Sequence, residues 1–238
     1  MSAALRGWRR AVAAACGAAA LGTAALGAAA QEAPSAAEVA VGGPLHAAAQ
    51  AGDVPRLRSA LRAGAAVDAR DAHGRTPLHV ATFARRRDAI RALAAAGADL
   101  GALEHDRYDA VTIAAVADDE ETLALLLALG ASAKLVTSRY DGTALIAAAH
   151  LGHDGVVRQL IAAGAPLDHV NNLHWTAAIE AVVLGDGGPR HQATLKALVA
   201  AGANLALADR EGRTPLQLAR ARGLREMVHI LEAASPAR

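Results

Sequence analysis

The chain is poor in cysteine, in aromatic residues and in net charge. Its 238 residues include one cysteine, Cys16, which excludes a disulfide framework and a zinc site held by cysteines. The formal net charge is +1, without the basic surplus typical of proteins that bind nucleic acid non-specifically. Aromatic residues make up 2% of a chain that is 53% hydrophobic. Alanine and leucine must therefore supply most of any core.

The first thirty residues differ from the rest. Arg6, Arg9 and Arg10 precede an uncharged stretch, residues 11–30, that ends in three alanines. A basic start, an apolar middle and small residues at a break are typical of a secretory signal peptide, and we predict cleavage after Ala30. The mature chain then holds two more acidic than basic residues and no cysteine, which suits a periplasmic or secreted protein.

Other interpretations of this segment stay open. Twenty uncharged residues are long enough for a retained membrane anchor, although most of them are alanine and glycine. The pair Arg9-Arg10 resembles a twin-arginine export signal, so the export route is either the general or the twin-arginine one. We predict that residues 31–42 form a flexible linker to the folded domain.

A repeat of about 33 residues fills most of the remaining chain. Residues 43–48 (Gly-Pro-Leu-His-Ala-Ala) return as residues 76–81 and 214–219, with weaker copies between them. A second marker, Gly-Ala, recurs with the same irregular spacing, and this agreement identifies six units. The units lie near residues 43–73, 74–106, 107–139, 140–172, 173–210 and 211–234, followed by a tail at 235–238.

Each unit is predicted to hold two short helices. The first follows Pro-Leu, and the second ends at Gly-Ala, where glycine favours a left-handed C-terminal turn. Apolar residues at i, i+3 and i+4 predict one buried stripe on each second helix. One column of this stripe is Leu57, Ile90, Leu123, Val157, Leu195 and Val228. Another column turns charged only at Glu232, as suits a terminal unit that no neighbour covers.

These residues resemble the ankyrin repeat family. Its Gly-x-Thr-Pro-Leu-His motif is matched by residues 74–79 and in part by residues 212–216, and the resemblance covers about residues 43–234. It implies an all-α solenoid of about six helix-turn-helix units with β-turn fingers. The motif's histidine occurs only as His46 and His79, which we expect to be structural. Unit five is five residues longer, with a predicted loop between its helices.

Opposite charges are expected to face each other between units two and three. Residues 85–87 are three arginines, and the acidic residues 118–120 occupy the same unit positions one repeat later. Stacked helices lie about 8–10 Å apart, so ion pairs can form across the units. Exposed ion pairs contribute only ~0.2–1 kcal/mol each to stability. We therefore expect these pairs to help align units two and three rather than to hold them together.

Motifs for catalysis are missing from the sequence. It contains no Gly-x-Ser-x-Gly, no phosphate-binding loop and no His-Glu-x-x-His, so we predict a non-enzymatic protein without a cofactor or metal. An enzyme or metal carrier that uses His150, His153 and His169 is a second hypothesis. The close pair His150 and His153 still needs further ligands to hold a metal.

The four aromatic residues beyond residue 30 lie outside the apolar columns. In ankyrin repeats their positions, on fingers and inner helices, line the concave binding face, and arginine and aromatic residues are common hot spots. The resemblance therefore implies a binding face across units two to five. The predicted contacts are Arg75, Phe83, Tyr108, Tyr140, Trp175 and Arg213. The alternative is that each ring only covers its neighbouring finger.

The sequence thus predicts a periplasmic or secreted monomer that binds a protein partner through a rigid, prefolded face. Such a face loses little conformational entropy on binding. Nucleic acid is not expected as a partner, nor is a membrane after cleavage of the signal peptide. A third hypothesis is an accessory, chaperone-like protector of an exported enzyme.

Overall fold

The computed structural model describes residue 31 and residues 33–234. Predictions about Cys16, the signal peptide, its cleavage after Ala30 and the tail at 235–238 lie outside these residues. No helix in the described part of the chain is both long and apolar enough to cross a membrane.

Thirteen helices and one short strand pair make up the described residues. The helices are α1 (Ala36–Val41), α2 (Pro44–Ala51), α3 (Val54–Arg62), α4 (Pro77–Phe83), α5 (Arg87–Ala95), α6 (Ala110–Val116), α7 (Glu120–Ala128), α8 (Ala144–Leu151), α9 (Asp154–Ala162), α10 (Ala177–Val183), α11 (Pro189–Ala200), α12 (Pro215–Ala221) and α13 (Arg225–Ala234). The strands β1 (Val136–Thr137) and β2 (Gly142–Thr143) pair antiparallel, with Val136 opposite Thr143.

Helices α2 to α13 form six consecutive pairs, one in each repeat unit. The first helices of the pairs (α2, α4, α6, α8, α10 and α12) pack against one another in one row. The second helices (α3, α5, α7, α9, α11 and α13) pack in another row. This arrangement confirms the predicted all-α solenoid of helix-turn-helix units.

The two rows differ in the size of their buried side chains. In the first helices one column consists entirely of alanine and is buried in every unit; its members are Ala48, Ala81, Ala114, Ala148, Ala181 and Ala219. The second helices supply large side chains such as Leu57, Ile90 and Leu123. Burial of each such side chain contributes ~1.5–3 kcal/mol. Small residues thus set the spacing of the first helices, and large residues between the rows provide most of the hydrophobic stabilisation.

The glycine of every Gly-Ala marker ends a second helix as predicted. Each has a positive φ, between 78° at Gly164 and 97° at Gly130. Glycine meets no Cβ penalty in this left-handed conformation, so the chain can turn sharply away from the helix.

A helix lies where a flexible linker was predicted. The Ser35 hydroxyl accepts a hydrogen bond from the Glu38 amide at 3.3 Å, and the Glu38 carboxylate accepts one from the Ser35 amide at 2.7 Å. This capping box begins α1, whose Val39 is buried. The linker prediction is therefore wrong for residues 36–41. Helix α1 packs on α2 and covers the end of the repeat stack.

The charged residues of units two and three meet, but in a shifted register. Arg87 contacts Asp119 at 3.1 Å and Glu121 at 2.8 Å, so Glu121 rather than Glu120 takes part. Arg86 turns the other way and donates to a backbone carbonyl of unit one at 2.9 Å. Arg85 also lies 3.4 Å from the Asp119 carboxylate, so the predicted pairing is confirmed for Arg85 and Arg87, while Arg86 links the preceding unit instead.

The longer turn of unit five lets one arginine reach two units back. Residues 184–188 separate α10 from α11, and Arg190 follows in the first turn of α11. Its guanidinium lies 2.8 Å from the Asp118 carboxylate in unit three and 3.5 Å from Asp154 in unit four. In a repeat stack most contacts join nearest neighbours, so this bridge couples units three, four and five more tightly.

His79 ties the start of α4 to the finger that follows. Its Nδ1 accepts a hydrogen bond from the Thr76 amide at 3.0 Å, and Nε2 donates to the carbonyls of Ala102 and Tyr108 at 3.0 and 3.1 Å. His46 makes an equivalent carbonyl contact one unit earlier at 2.9 Å. Both histidines thus have the expected structural role. Burial lowers the pKa of His79 to about 4.

We expect His79→Gln to reduce the sensitivity of folding to acid. Because the folded state holds this imidazole neutral, its contribution to stability is complete above about pH 6.5 and is lost as the pH falls to about 4. By pH 4.5 this loss amounts to ~2 kcal/mol. Glutamine does not titrate, and Gln217 shows that its side chain can accept the corresponding threonine amide, at 2.8 Å. Urea unfolding at pH 7.0, 5.5 and 4.5 should show a flatter pH dependence for the variant. Equal slopes in both proteins would contradict this role.

Candidate protein-interaction surface

The five fingers between consecutive units share one local design. In finger four, the Asn171 side-chain oxygen accepts hydrogen bonds from the amides of Leu173 at 3.0 Å and Trp175 at 2.9 Å. Such turns, closed by a short polar side chain, hold the backbone in a fixed shape. The equivalent residues in the other fingers are Asp71, Glu104, Ser138 and Asp209.

One residue at the tip of each finger has a left-handed backbone. The outer fingers use Gly74 and Gly212, with φ of 72° and 74°. The three middle fingers instead use Arg107, Asp141 and His174, with φ of 66°, 51° and 64°, and Ser138 at the base of finger three adds a fourth at 65°. A side chain in this conformation costs about 1–2 kcal/mol for most residue types and less for aspartate. The middle fingers therefore carry side chains at an energetic cost, as is typical of functional segments.

Adjacent finger tips are joined by backbone hydrogen bonds. The Ser138 amide donates to the Arg107 carbonyl at 2.9 Å, and the Asn172 amide donates to the Tyr140 carbonyl at 2.9 Å. The His105 amide likewise donates to the His73 carbonyl at 3.0 Å, so these bonds link fingers one to four into a row. The side chains at their tips consequently hold fixed positions relative to one another.

Two tyrosines and an arginine come together where fingers two and three meet. Burial raises the pKa of Tyr108 to about 12, and the Asp106 and Glu104 carboxylates add to this effect. Arg139 pairs with Asp106, and its positive charge acts to lower the pKa of Tyr108 against the effect of burial. Both tyrosines are half-buried, so part of each ring is accessible. The cluster groups two aromatic rings and a guanidinium at the centre of the finger row.

The first helices contribute a row of partly exposed side chains next to the fingers. One member comes from each of units one to five: Gln50, Phe83, Val116, His150 and Val183. Trp175 follows finger four; it is half-buried and packs against the hydrophobic core. The four predicted rings are therefore neither sealed inside the stack nor fully exposed. We call this row, together with finger tips 105–107, 139–141 and 172–174, the finger face.

The two arginines predicted as contacts have different surroundings. The Arg75 side chain is 7% exposed and pairs with Asp71 at 2.7 Å and with Glu38 of α1 at 3.5 Å. The guanidinium of Arg75 is therefore buried between two carboxylates, one of them from α1. This corrects the expectation that Arg75 contacts a partner directly. Arg213 makes the corresponding bond to Asp209 at 2.9 Å but is 51% exposed.

The three histidines considered as metal ligands have separate partners. His150 lies 3.4 Å from the Glu180 carboxylate, whereas His153 and His169 each contact a backbone carbonyl, at 2.9 and 2.6 Å. Within the residues that the structure describes, no three His, Cys, Asp or Glu side chains are arranged to hold a metal ion.

One buried acid was not singled out from the repeat pattern. Glu180 lies in α10 at a position that is apolar in every other unit; the equivalents are Ala47, Val80, Ile113, Ala147 and Leu218. Its carboxylate accepts a hydrogen bond from the Asn171 side chain at 3.0 Å. A comparison of this first-helix position across the six units would have identified Glu180 as the one charged residue. The columns that predict the buried stripe lie on the second helices, and so they do not include Glu180.

Comparison with known proteins decides the family. A family profile of ankyrin repeats in three copies matches residues 20–104 and 111–206. The chain belongs to the ankyrin repeat family. It is 34% identical over 188 residues to the ankyrin repeat protein YahD of Escherichia coli strain K12. The aligned region covers 79% of this chain and 93% of that protein.

Solved structures agree with the assignment to the ankyrin family. The crystal structure of an ankyrin repeat domain from Acinetobacter baumannii is similar, with a TM-score of 0.76 and 44% identity over 80% of this chain and 97% of that one. The ankyrin repeat protein EF0377 gives a TM-score of 0.72 and 32% identity over 81% and 97% of the two chains. Ankyrin repeats generally mediate protein–protein interaction, and proteins of this family are generally non-enzymatic scaffolds.

We expect Arg75→Ala to destabilise the ankyrin stack more than Arg213→Ala. Loss of Arg75 leaves the Asp71 carboxylate unpaired in a buried setting, at a cost of about 2 kcal/mol or more. The Asp209 carboxylate is also buried, at 1% exposure, but removal of the half-exposed Arg213 side chain lets water reach it, so that variant should lose less. Urea unfolding of both variants measures the difference. Similar losses would contradict a supporting role that is specific to Arg75.

Proposed function

We propose that this ankyrin repeat protein is a non-enzymatic scaffold that binds a protein partner across the finger face of units two to five. One coincidence carries the proposal. The three fingers that hold side chains in the left-handed conformation also carry three of the four rings, Tyr108, Tyr140 and Trp175. In ankyrin stacks the fingers and the first helices form the concave side. A partner that binds there contacts both the finger tips and the first helices.

Recognition by this face depends on rigidity. The bonds between neighbouring tips and the turns closed by polar side chains fix the rings before a partner arrives. Binding then costs little conformational entropy. The proposed contacts are Phe83, Tyr108, Tyr140, Trp175 and Arg213, with Arg75 supporting the first finger from within.

We also propose that the protein acts in the periplasm or outside the cell after removal of residues 1–30. The basic start and the uncharged stretch support this proposal. Cleavage after Ala30 leaves the Ser35 cap and the whole of α1 in the mature chain. The protein released by osmotic shock should therefore have the intact mass of residues 31–238. Protein that stays in the membrane fraction with a mass that includes residues 1–30 would instead show that the segment is retained as an anchor.

Site-specific photo-crosslinking tests the binding face. A benzoylphenylalanine at Val116, in the first-helix row, should crosslink a discrete partner in cells that express the protein. The same probe at Ala124, exposed on the second helix of the same unit, serves as the matched control. Adding Tyr140→Ala should reduce the Val116 crosslink at least ~10-fold, since a hot-spot aromatic contributes ~2 kcal/mol or more.

The control position decides between this face and the opposite one. Equal crosslinking from Ala124 and Val116, or crosslinking from Ala124 alone, would place the partner elsewhere. A Val116 crosslink that persists unchanged in Tyr140→Ala would remove the central tyrosines from the contact.

A further inference from the structure

Glu180 breaks the pattern of the first helices. The other five units place alanine, valine, isoleucine or leucine at its position, where the chain packs unit against unit. Glu180 occupies this apolar column in α10 with a side chain that is 6% exposed. A sequence that otherwise obeys the repeat departs from it mainly at functional sites, so this acid needs an explanation.

The carboxylate of Glu180 is only partly satisfied. Oε1 accepts a hydrogen bond from Asn171 at 3.0 Å. Oε2 lies 3.4 Å from Nδ1 of His150 and makes no hydrogen bond. Among the described residues it is the one buried carboxylate oxygen without such a bond. The His150 side chain is 19% exposed and belongs to the first-helix row of the finger face, so the carboxylate lies just beneath that face.

Neighbouring residues are adapted to this acid. Of the five residues that close the finger turns, only Asn171 has a side-chain amide, which can accept a hydrogen bond through its oxygen and donate one through its nitrogen. Its oxygen holds the backbone of finger four, while its nitrogen holds Glu180. Ala147, at the equivalent position one unit earlier, is small and partly exposed. A side chain entering from the finger face therefore meets little bulk at this point.

Stability alone does not account for the buried acid. Taking a carboxylate out of water costs several kcal/mol, and replacement of buried ionic groups by apolar residues of similar size is often neutral or stabilising. The sequence already contains such a replacement, Leu218, at the equivalent position of unit six. A carboxyl group at this position is therefore better explained by a role at the finger face than by stability.

We propose that Glu180 anchors a cationic side chain, arginine or lysine, of the protein partner. The cation enters beside Ala147, displaces the His150 imidazole and donates to the open Oε2. Charge-assisted hydrogen bonds to a carboxylate are about twice as strong as neutral ones, and a guanidinium can supply two of them. This inference rests on the proposed function, because it names the partner chemistry that the finger face recognises.

A titration with small cations tests the anchor on the full-length protein. The probe is N-acetyl-L-arginine amide, with N-acetyl-L-lysine amide as the second cation and N-acetyl-L-citrulline amide as the neutral control of the same shape. The readout is the side-chain amide signal of Asn171 by NMR. We expect a saturable shift with arginine or lysine amide and at least tenfold weaker binding of citrulline amide.

Two variants act in opposite directions. Glu180→Gln keeps an acceptor for Asn171 but removes the charge, and it should weaken arginine binding at least tenfold. His150→Ala removes the competing imidazole and should tighten binding several-fold. Urea unfolding confirms that each variant is folded. Glu180→Leu, which copies the apolar residue found at position 218 of unit six, replaces Glu180→Gln if that variant unfolds. No shift with either cation, an unchanged affinity in the charge-free variant, or weaker binding in His150→Ala would overturn the anchor.

The anchor and the binding face can fail separately. If Val116 crosslinks a partner but neither cation shifts Asn171, the face stands and the anchor is wrong. If the cations bind with the expected variant effects but Val116 crosslinks nothing, the anchor stands and the proposed scaffold function loses its support.

Discussion

Close packing of the first helices is the constraint on which the rest of the structure depends. A column of alanines, buried in all six units, brings these helices together at short and regular intervals. The fingers that precede them are then near enough for their tips to bond to one another. Such a core has little room for aromatic rings. Phe83, Tyr108, Tyr140 and Trp175 consequently lie at the margin of the stack, half-buried rather than enclosed.

Rigidity in the middle of the stack follows from contacts on two sides. Backbone bonds join fingers one to four, while Arg190 bridges from unit five to Asp118 in unit three. Fingers two to four also carry side chains in a costly left-handed conformation. Elements that hold strain need firm surroundings, and the middle units supply them. A partner would therefore meet a preformed surface there, whereas the outer fingers use glycine.

The repeat could be predicted from the sequence because its signals are periodic. Each apolar column has six members, the Gly-Ala turn occurs five times and the Pro-Leu step at the start of the first helix occurs three times, so each copy supports the others. Helix α1 has no such repetition: it is six residues long with one buried side chain, Val39. The burial of Arg75 could not be predicted either, because it depends partly on an ion pair with Glu38, which lies in this unpredicted helix. Glu180 was visible as a broken column, yet its pairing with Asn171 and His150 required the structure.

Hydrogen exchange of the protein with and without its crosslinked partner tests the central claim most directly. The account predicts that the partner slows exchange in fingers two to four and in the first helices α4, α6, α8 and α10. Exchange in the second helices α5, α7 and α9 should stay the same. Slower exchange confined to the second helices, or to α1 and α13 at the ends, would show that the finger face is not the surface that binds.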